Sequence, residues 1–124
     1  MHRFWCLVIL LLCSQQVWAG ILYVPSPDHN TIQSAIDTAV AGDTIIVSPG
    51  AYVENIDFKG KAIVVRSENG PANCIIDCNN TSCGFYFHTG EGISSVLRGF
   101  TIIKGYGDGG GIYSATSLFI NNSI

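Results

Sequence analysis

Positive charge is scarce in this chain. Only six of its 124 residues are lysine or arginine, against nine aspartate and glutamate residues. The basic residues are scattered rather than clustered, so the sequence lacks the basic patch that a nucleic-acid-binding protein needs. It also lacks a C-x-x-C pair from which a zinc site could be built. We therefore expect no nucleic-acid partner, no bound metal and no other cofactor.

Long apolar runs are absent after the start of the chain. Residues 1–3 form a short basic start, residues 4–13 are apolar, and Val17-Trp18-Ala19 ends in a small residue. This order is typical of a secretory signal peptide, whose apolar part is too short to span a bilayer. We predict that residues 1–19 are removed, that the mature chain crosses no membrane, and that the protein is secreted or held at the cell surface.

Three of the five cysteines, Cys74, Cys78 and Cys83, remain after that removal, in an oxidising compartment where disulfides form. Cys74 and Cys78 fall on one predicted strand, roughly 13 Å apart at about 3.3 Å per residue. A disulfide needs Cα atoms within about 7 Å, so these two should not pair. Cys78 and Cys83 flank the turn-like sequence Asn79-Asn80-Thr81-Ser82. We predict a Cys78–Cys83 disulfide, and three free thiols remain the alternative.

Helical spacing occurs once, in an apolar stripe formed by Ile32, Ala35, Ile36 and Ala39. Asn30 is the predicted N-cap, with Gln33 completing a capping box and Gly42 ending the helix after about three turns. Elsewhere the chain has short β-branched or aromatic runs separated by glycine, asparagine and proline. The predicted strands are residues 21–24, 44–47, 62–65, 74–76, 84–87, 100–103, 111–113 and 118–120.

These strands repeat at unequal intervals. Gly84-Phe85-Tyr86-Phe87 matches residues 111–114, which lie 27 positions on, and residues 96–102 match residues 118–124, which lie 22 positions on. Such intervals are typical of a solenoid of stacked parallel coils. A β-sandwich would more often carry two-residue Asn-Gly or Asp-Gly turns, and none lies between matched strands.

The repeat fixes which side chains should share a face. Phe85 and Phe87 should point inward with Ile112, while Tyr86 and Tyr113 should line up outside. The corners between strands explain Gly99, Asn121 and Asn122, because these residue types tolerate left-handed or bridge conformations. Asn79-Asn80-Thr81, Asn80-Thr81-Ser82 and Asn121-Asn122-Ser123 also match the N-glycosylation acceptor pattern.

Several segments carry a resemblance to a known family. TIQSAID (31–37) followed by AGDTIIVSPGAYVENI (41–56) resembles the entry segment of the pectin-lyase-like superfamily, and VRSENGP (65–71), IID (75–77) and LRGFTI (97–102) resemble its first coils. The resemblance implies an all-β fold, a right-handed parallel β-helix over residues 44–124, preceded by a strand and a capping helix in residues 20–43. Because no cap is evident after Ile124, we expect this chain to be incomplete at its C-terminal end.

The glycine-rich stretch from Gly105 to Tyr113, GYGDGGGIY, is open to three interpretations: a dinucleotide-binding turn, a calcium-binding repeat or a corner between strands. A dinucleotide turn must lead into a helix, whereas Gly111 leads into a predicted strand. The calcium repeat needs an acid in another register than Asp108. We therefore predict a corner.

No catalytic motif is evident, and catalytic residues stay unassigned. The polar candidates are Arg66, Asp77, His88, Arg98, Lys104 and Asp108, each alone in its run. His88 should face outward, and Asp77 is more typical of a turn than of a ligand set. Tyr86 and Tyr113 either form a strip that faces sugar rings or a ladder that only stabilises adjacent strands.

Three functions therefore remain open. The first is a secreted module for cell-surface or carbohydrate interaction, with a polysaccharide or surface glycan as its partner. The second, implied by the resemblance, is the N-terminal part of a polysaccharide-active enzyme of the pectate lyase or pectin esterase type, the lyase alone requiring calcium. The third is a structural spacer that neither binds nor turns over a ligand.

Overall fold

The computed structural model describes residues 19–115 and the backbone of residues 119–123. The elements are β1 (Ile21–Val24), α1 (Ile32–Thr38), β2 (Thr44–Val47), β3 (Gly50–Val53), β4 (Ile56–Asp57), β5 (Val64–Ser67), a 3-10 turn (Pro71–Asn73), β6 (Cys74–Asp77), β7 (Phe85–Phe87), β8 (Val96–Ile103), β9 (Ile112–Ser114) and β10 (Phe119–Ser123). The predicted β-rich chain with one helix is confirmed over this range. The predicted signal peptide falls almost wholly on residues 1–18, outside it.

Every strand pair in the described range is parallel. The larger sheet has the order β1-β2-β5-β8-β6-β3, with β10 also on β8, and a second sheet has the order β4-β7-β9. Partners lie between 20 residues apart, as Thr44 and Val64 do, and 32 apart, as Val64 and Val96 do. Each strand therefore pairs with one much further along the chain, as the sequence intervals predict. No helix among the described residues has the length and apolar character needed to cross a bilayer.

One of the two predicted repeat offsets is confirmed, and the other is wrong at one end. Phe85 pairs with Ile112 and Tyr86 with Tyr113, which confirms the offset of 27. Val96 pairs with Phe119 rather than with Leu118, so the offset of 22 is wrong at that end by one residue. The register shifts between Asn121 and Ser123, after which Thr101 pairs with Ser123, as predicted. Leu118, Ile124 and the side chains of Asn121 and Asn122 lie outside the described residues.

The core is filled by inward-pointing aliphatic and aromatic side chains. Phe85 and Phe87 are fully buried, and the half-buried Ile112 packs against them, as predicted. Phe58 adds a third ring, its centroid 4.4 Å from that of Phe87, and Phe100 lies 5.6 Å from Phe85. Burying four phenylalanines in one cluster supplies several kcal/mol of hydrophobic free energy, at about 1.5–3 kcal/mol per large side chain.

Helix α1 begins one residue later than predicted and is shorter. Its N-cap is Thr31 rather than Asn30, and the capping box is completed by Ser34 rather than Gln33. The Thr31 hydroxyl accepts from the Ser34 amide at 3.1 Å, while the Ser34 hydroxyl accepts from the Thr31 amide at 3.3 Å. The helix ends at Thr38, because Ala39 already has extended dihedral angles, so Gly42 lies beyond its end.

Three side chains connect this helix to the sheets. The Glu54 carboxylate accepts from the backbone amides of Ile32 and Gln33 at 2.9 and 3.1 Å. The Lys61 ammonium donates to the helix-end carbonyls of Ile36, Asp37 and Ala39 at 2.6 to 3.0 Å. The Gln33 carboxamide donates to the Asp57 carbonyl at 3.0 Å and accepts from the Asp57 amide at 2.7 Å.

Corners fall where the sequence places small or amide residues. Gly99 lies inside β8 with a φ of +84°, and it separates the half of β8 that pairs with β5 from the half that pairs with β6. Asn79 and Asn80 are left-handed at φ 55° and 56°. These asparagines therefore have a structural reason to be where they are.

Candidate functional site

The outer face of the β4-β7-β9 sheet carries a row of polar and aromatic side chains. Side chains alternate between the two faces of a strand, so the burial of Ile56, Phe85 and Phe87 directs their neighbours outward. Asp57, Tyr86 and Tyr113 are aligned in register across the three strands. We call these three residues, with His88 and Asn55, the outer row.

The two tyrosines of the outer row are stacked. Their ring centroids are 4.8 Å apart and the ring planes are inclined by 21°, so the predicted alignment of Tyr86 with Tyr113 is confirmed. Each ring has one face against the other tyrosine and is half-buried. The stacked pair therefore presents the partly exposed parts of two aromatic rings on the outer face of the sheet.

His88 faces outward, as predicted, but it is not alone. Its Nε2 lies 3.0 Å from Asp57 Oδ2, and both side chains are partly exposed. Its ring meets Tyr86 edge to face, with centroids 4.7 Å apart and an interplanar angle of 87°. The other carboxylate oxygen of Asp57 accepts from the Lys59 amide at 2.8 Å. The outer row therefore holds an oriented acid–histidine pair beside an aromatic ring.

Asp57 and Asn55 are the members of this site that the sequence analysis missed. The available signal was the alternation Ile56-Asp57-Phe58, which matches Phe85-Tyr86-Phe87 in placing one outward residue between two buried ones. Strand β4 is only two residues long, which is too short to be recognised as a strand from the sequence. Without β4, the partner of His88 could not be identified.

A shallow depression of about 270 Å³ lies along the outer row and is lined by Asn55, Ile56, Asp57, Tyr86 and His88. Asn55 is held in place because its amide donates to the Cys83 carbonyl at 2.9 Å and its carbonyl oxygen accepts from the Thr81 hydroxyl at 2.8 Å. The lining thus combines an aromatic ring with hydrogen-bonding groups of both kinds, which is the composition of a small-molecule or sugar site.

Arg66 and Arg98 were each alone in sequence, but strand pairing brings them side by side. They occupy the same register position on β5 and β8, where parallel neighbours lie roughly 4.8 Å apart. Neither arginine belongs to an ion pair within the described part of the chain. Two like charges in this position repel each other unless an anion or solvent compensates them.

Asp77 and Lys104 contact each other and a neighbouring turn. Asp77 accepts from the Asn79 amide at 2.8 Å and lies 3.7 Å from the Lys104 ammonium, so its expected role in a turn is confirmed. Among residues 19–115 no group of three or more His, Cys, Asp or Glu side chains could hold a metal ion. Asp108 lies in the glycine-rich stretch, where an added Cβ on Gly105 would collide with the Gly110 backbone.

That stretch leads directly into strand β9. The Ile112 amide donates to the Gly109 carbonyl at 3.1 Å, and the Gly84 amide donates to the Gly111 carbonyl at 2.8 Å. A dinucleotide turn would be followed by a helix at this point. The interpretation as a corner between strands is therefore the one that the fold supports.

Cys74, Cys78 and Cys83 are free thiols in the structure, and all three are buried. Burial raises the pKa of the Cys74 thiol to about 11. Burial also raises the pKa of Cys78 and of Cys83, and the nearby Cys83 adds to the effect on Cys78. The Asn55 amide donates to the carbonyls of both Cys78 and Cys83, at 3.4 and 2.9 Å, so the two residues lie on either side of it. Their oxidation to a disulfide stays a prediction.

Comparison with protein-family models, with curated proteins and with solved structures gives no match.

Proposed function

We propose that this chain is an exported, right-handed parallel β-helix module that binds carbohydrate through the outer row. The purely parallel pairing of strands 20 to 32 residues apart supports the repeat architecture. The resemblance of residues 31–37 and 41–56 to the pectin-lyase-like entry segment supports its hand, as does the general right-handedness of parallel crossovers. The observation that carries the binding function is the stacked Tyr86–Tyr113 pair beside a polar depression.

A sugar ring suits this surface because it is itself amphipathic. Its C–H face packs against an aromatic ring, here the partly exposed Tyr86–Tyr113 pair, while its hydroxyls need donors and acceptors nearby. Asp57 and His88 are 3.0 Å apart, and Asn55 is fixed by two hydrogen bonds. These groups are oriented before a ligand arrives, which reduces the entropy that binding would cost.

The test is a glycan array probed with the mature chain, followed by titration of any ligand found. We expect Tyr113→Ala to weaken binding roughly 2- to 10-fold, since an aromatic contact contributes about 0.5–1.5 kcal/mol, and Tyr113→Phe to keep most of the affinity. Tyr23→Ala is the matched control, because Tyr23 is a tyrosine with an exposed side chain that lies on β1, outside the outer row. Absence of any glycan ligand, or equal affinity of Tyr113→Ala and wild type, would overturn the proposal in favour of a purely structural ladder.

The alternative, the N-terminal part of an enzyme acting on acidic polysaccharide, is favoured by the arginine pair. Guanidinium groups bind carboxylates bidentately, and Arg66 and Arg98 lie in register without an acidic partner among the described residues. Under this alternative uronate polymers bind to wild type, and Arg66→Gln or Arg98→Gln weakens that binding while Tyr113→Ala does not. Turnover of uronate polymers by the full-length gene product, with and without calcium, decides whether catalysis follows.

A further inference from the structure

Asp43 is a buried carboxylate without a counter-charge among the described residues. The residue is 7% exposed, and it takes part in no ion pair among the residues that the structure describes. Its Oδ2 accepts from the Val40 amide at 2.9 Å, and its Oδ1 accepts from the Gly20 amide at 2.8 Å. Backbone amides supply partial charges only, and a buried carboxylate without an opposite charge is costly.

The second observation is the position of Gly20 in the sequence. It directly follows Ala19, the last residue of the predicted signal peptide. Gly20 is fixed beside Asp43 because its carbonyl accepts from the Thr44 amide at 2.9 Å, which extends the β1–β2 pairing by one residue. The nitrogen that export would convert into the new chain terminus is therefore already bonded to the buried acid.

We propose that cleavage between Ala19 and Gly20 places the new α-ammonium group on Asp43, so that processing completes an ion pair that locks β1 onto the turn before β2. The inference rests on the export step of the proposed function, not on carbohydrate binding. Hydrolysis of the Ala19–Gly20 amide by a signal peptidase consumes one water. It leaves a carboxylate on Ala19 and an amine on Gly20, which takes up the proton as an ammonium at neutral pH.

The geometry suits a charged terminus without rearrangement. Ala19 and Gly20 are both exposed, so removal of Ala19 lets water hydrate the side of the ammonium turned away from Asp43. The amide offered one hydrogen, whereas the ammonium offers three and a full positive charge. Charge-assisted hydrogen bonds are shorter and roughly twice as strong as neutral ones.

The other charged side chains near Gly20 already have hydrogen-bond or ion-pair partners. Within residues 40–47 and 61–66, which adjoin Gly20 and Asp43, the only other charged side chains are Lys61 and Arg66. The Lys61 ammonium lies on the carbonyls at the end of α1, and the Arg66 guanidinium donates to the Ser67 carbonyl. On α1, Asp37 pairs with Lys59 at 3.0 Å.

Glu91 provides a matched control. It is 2% exposed, and its carboxylate accepts from two backbone amides, those of Gly60 at 2.9 Å and Thr89 at 2.7 Å. It thus resembles Asp43 in its burial and in accepting from two backbone amides, but it does not contact Gly20. We therefore expect the charge of the Gly20 amine to change the stability that Asp43 contributes and not the stability that Glu91 contributes.

The experiment begins with secretion of the full-length sequence and mass spectrometry of the mature product, which we expect to begin at Gly20. Chains with a free Gly20 amine and with an N-acetylated Gly20 are then compared by denaturant unfolding. Acetylation removes the charge but keeps an N–H donor. We expect it to raise the unfolding equilibrium constant roughly tenfold, since a charged hydrogen bond exceeds a neutral one by about that factor. The factor should fall to about one in Asp43→Asn and stay near ten in Glu91→Gln.

A second measurement needs no variant of Asp43. An ion pair favours the charged form of the amine, so its pKa should lie above the ordinary range of about 7.7–8.0 when followed by NMR of ¹⁵N-labelled Gly20. The stabilisation is then complete at neutral pH and is lost as pH rises through that raised pKa. A different mature N-terminus, an ordinary amine pKa, or an equal acetylation effect in Asp43→Asn each overturns the inference. A negative glycan array leaves it standing and removes the carbohydrate proposal instead.

Discussion

At the scale of single residues, Gly99 combines a left-handed backbone conformation with a close contact to a neighbouring side chain. Its φ is +84°, in a region that side chains with a Cβ rarely adopt. An added Cβ would also collide with the Ser67 hydroxyl oxygen, which accepts from the Gly70 amide at 3.0 Å. Because Gly99 lies between the two halves of β8, a shift there would disturb the pairing of that strand with both β5 and β6.

We therefore expect Gly99→Ala to lower the free energy of unfolding by about 2–4 kcal/mol, from the left-handed conformation together with the collision. Gly90→Ala is the control. Gly90 has nearly the same φ, +83°, but nothing lies within 4 Å of its added Cβ, so only the conformational cost of about 1–2 kcal/mol applies. Urea unfolding of the two variants measures the difference, and equal losses would show that Ser67 imposes no steric limit.

At the scale of elements, α1 depends on its partners in the sheets. A helix of seven residues is far below the length at which an isolated helix is stable in water. Glu54 occupies the amides of Ile32 and Gln33 at its start, and Lys61 occupies the carbonyls at its end. Opposite charges at the two ends also suit the helix dipole.

Replacement of Lys61 by methionine should therefore lower the free energy of unfolding by about 1–3 kcal/mol, because several helix-end carbonyls lose a charged donor while the aliphatic stem is kept. Lys59→Met is the comparison. The Lys59 ammonium forms an exposed ion pair with Asp37, and loss of such a pair should lower the free energy of unfolding by less than about 1 kcal/mol. Thermal unfolding monitored by circular dichroism checks both. A loss for Lys59→Met as large as that for Lys61→Met would contradict this account.

The elements differ in how far the sequence could predict them. Strands β1 and β2 match the prediction, because each is a continuous β-branched or aromatic run. Strand β3 was missed because it begins at a glycine after a proline, and β4 because it has two residues. The N-cap was misplaced because Asn30 and Thr31 are both good capping residues. In the structure Thr31 forms the reciprocal capping box with Ser34, and Glu54, more than twenty positions away, accepts from the next two amides.

At the scale of the whole molecule, the reactivity of the three core cysteines measures how far the core stays closed to solvent. Cys74, Cys78 and Cys83 are buried, and their raised pKa values, about 11 for Cys74, leave less thiolate at pH 8 than a free cysteine has. We expect the native protein to react slowly with a thiol reagent. After unfolding without a reductant it should show one thiol per chain, which corresponds to a Cys78–Cys83 disulfide.

The same protein unfolded after reduction is the control and should show three thiols. Three thiols in the unreduced sample would refute the pairing and favour three buried free cysteines. Rapid reaction of the native protein would instead show that the core opens without global unfolding.

The sequence predicted that the strands stack in parallel, but it did not predict which residues of neighbouring strands are paired. Repeated runs indicated parallel stacking, and the match of Tyr86 with Tyr113 was confirmed. The connections between paired strands, however, differ in length, so spacing alone could not align Arg66 with Arg98 or His88 with Asp57. Both alignments depend on strands whose bounds differ from those that the sequence indicated. Of the candidate site, only the stacking of Tyr86 with Tyr113 was therefore predicted.

The carboxamide of Gln33 has a consequence for the behaviour of many copies in solution. It bonds to both backbone polar groups of Asp57, in the way that a neighbouring strand would. The edge strand of a sheet presents backbone N–H and C=O groups without partners. Another polypeptide can pair with these groups as an additional strand, and repeated addition leads to fibrous aggregates. A single side chain, presented by a two-turn helix, occupies that position on β4. The smaller sheet therefore cannot be extended from this edge by a second molecule unless the helix first detaches.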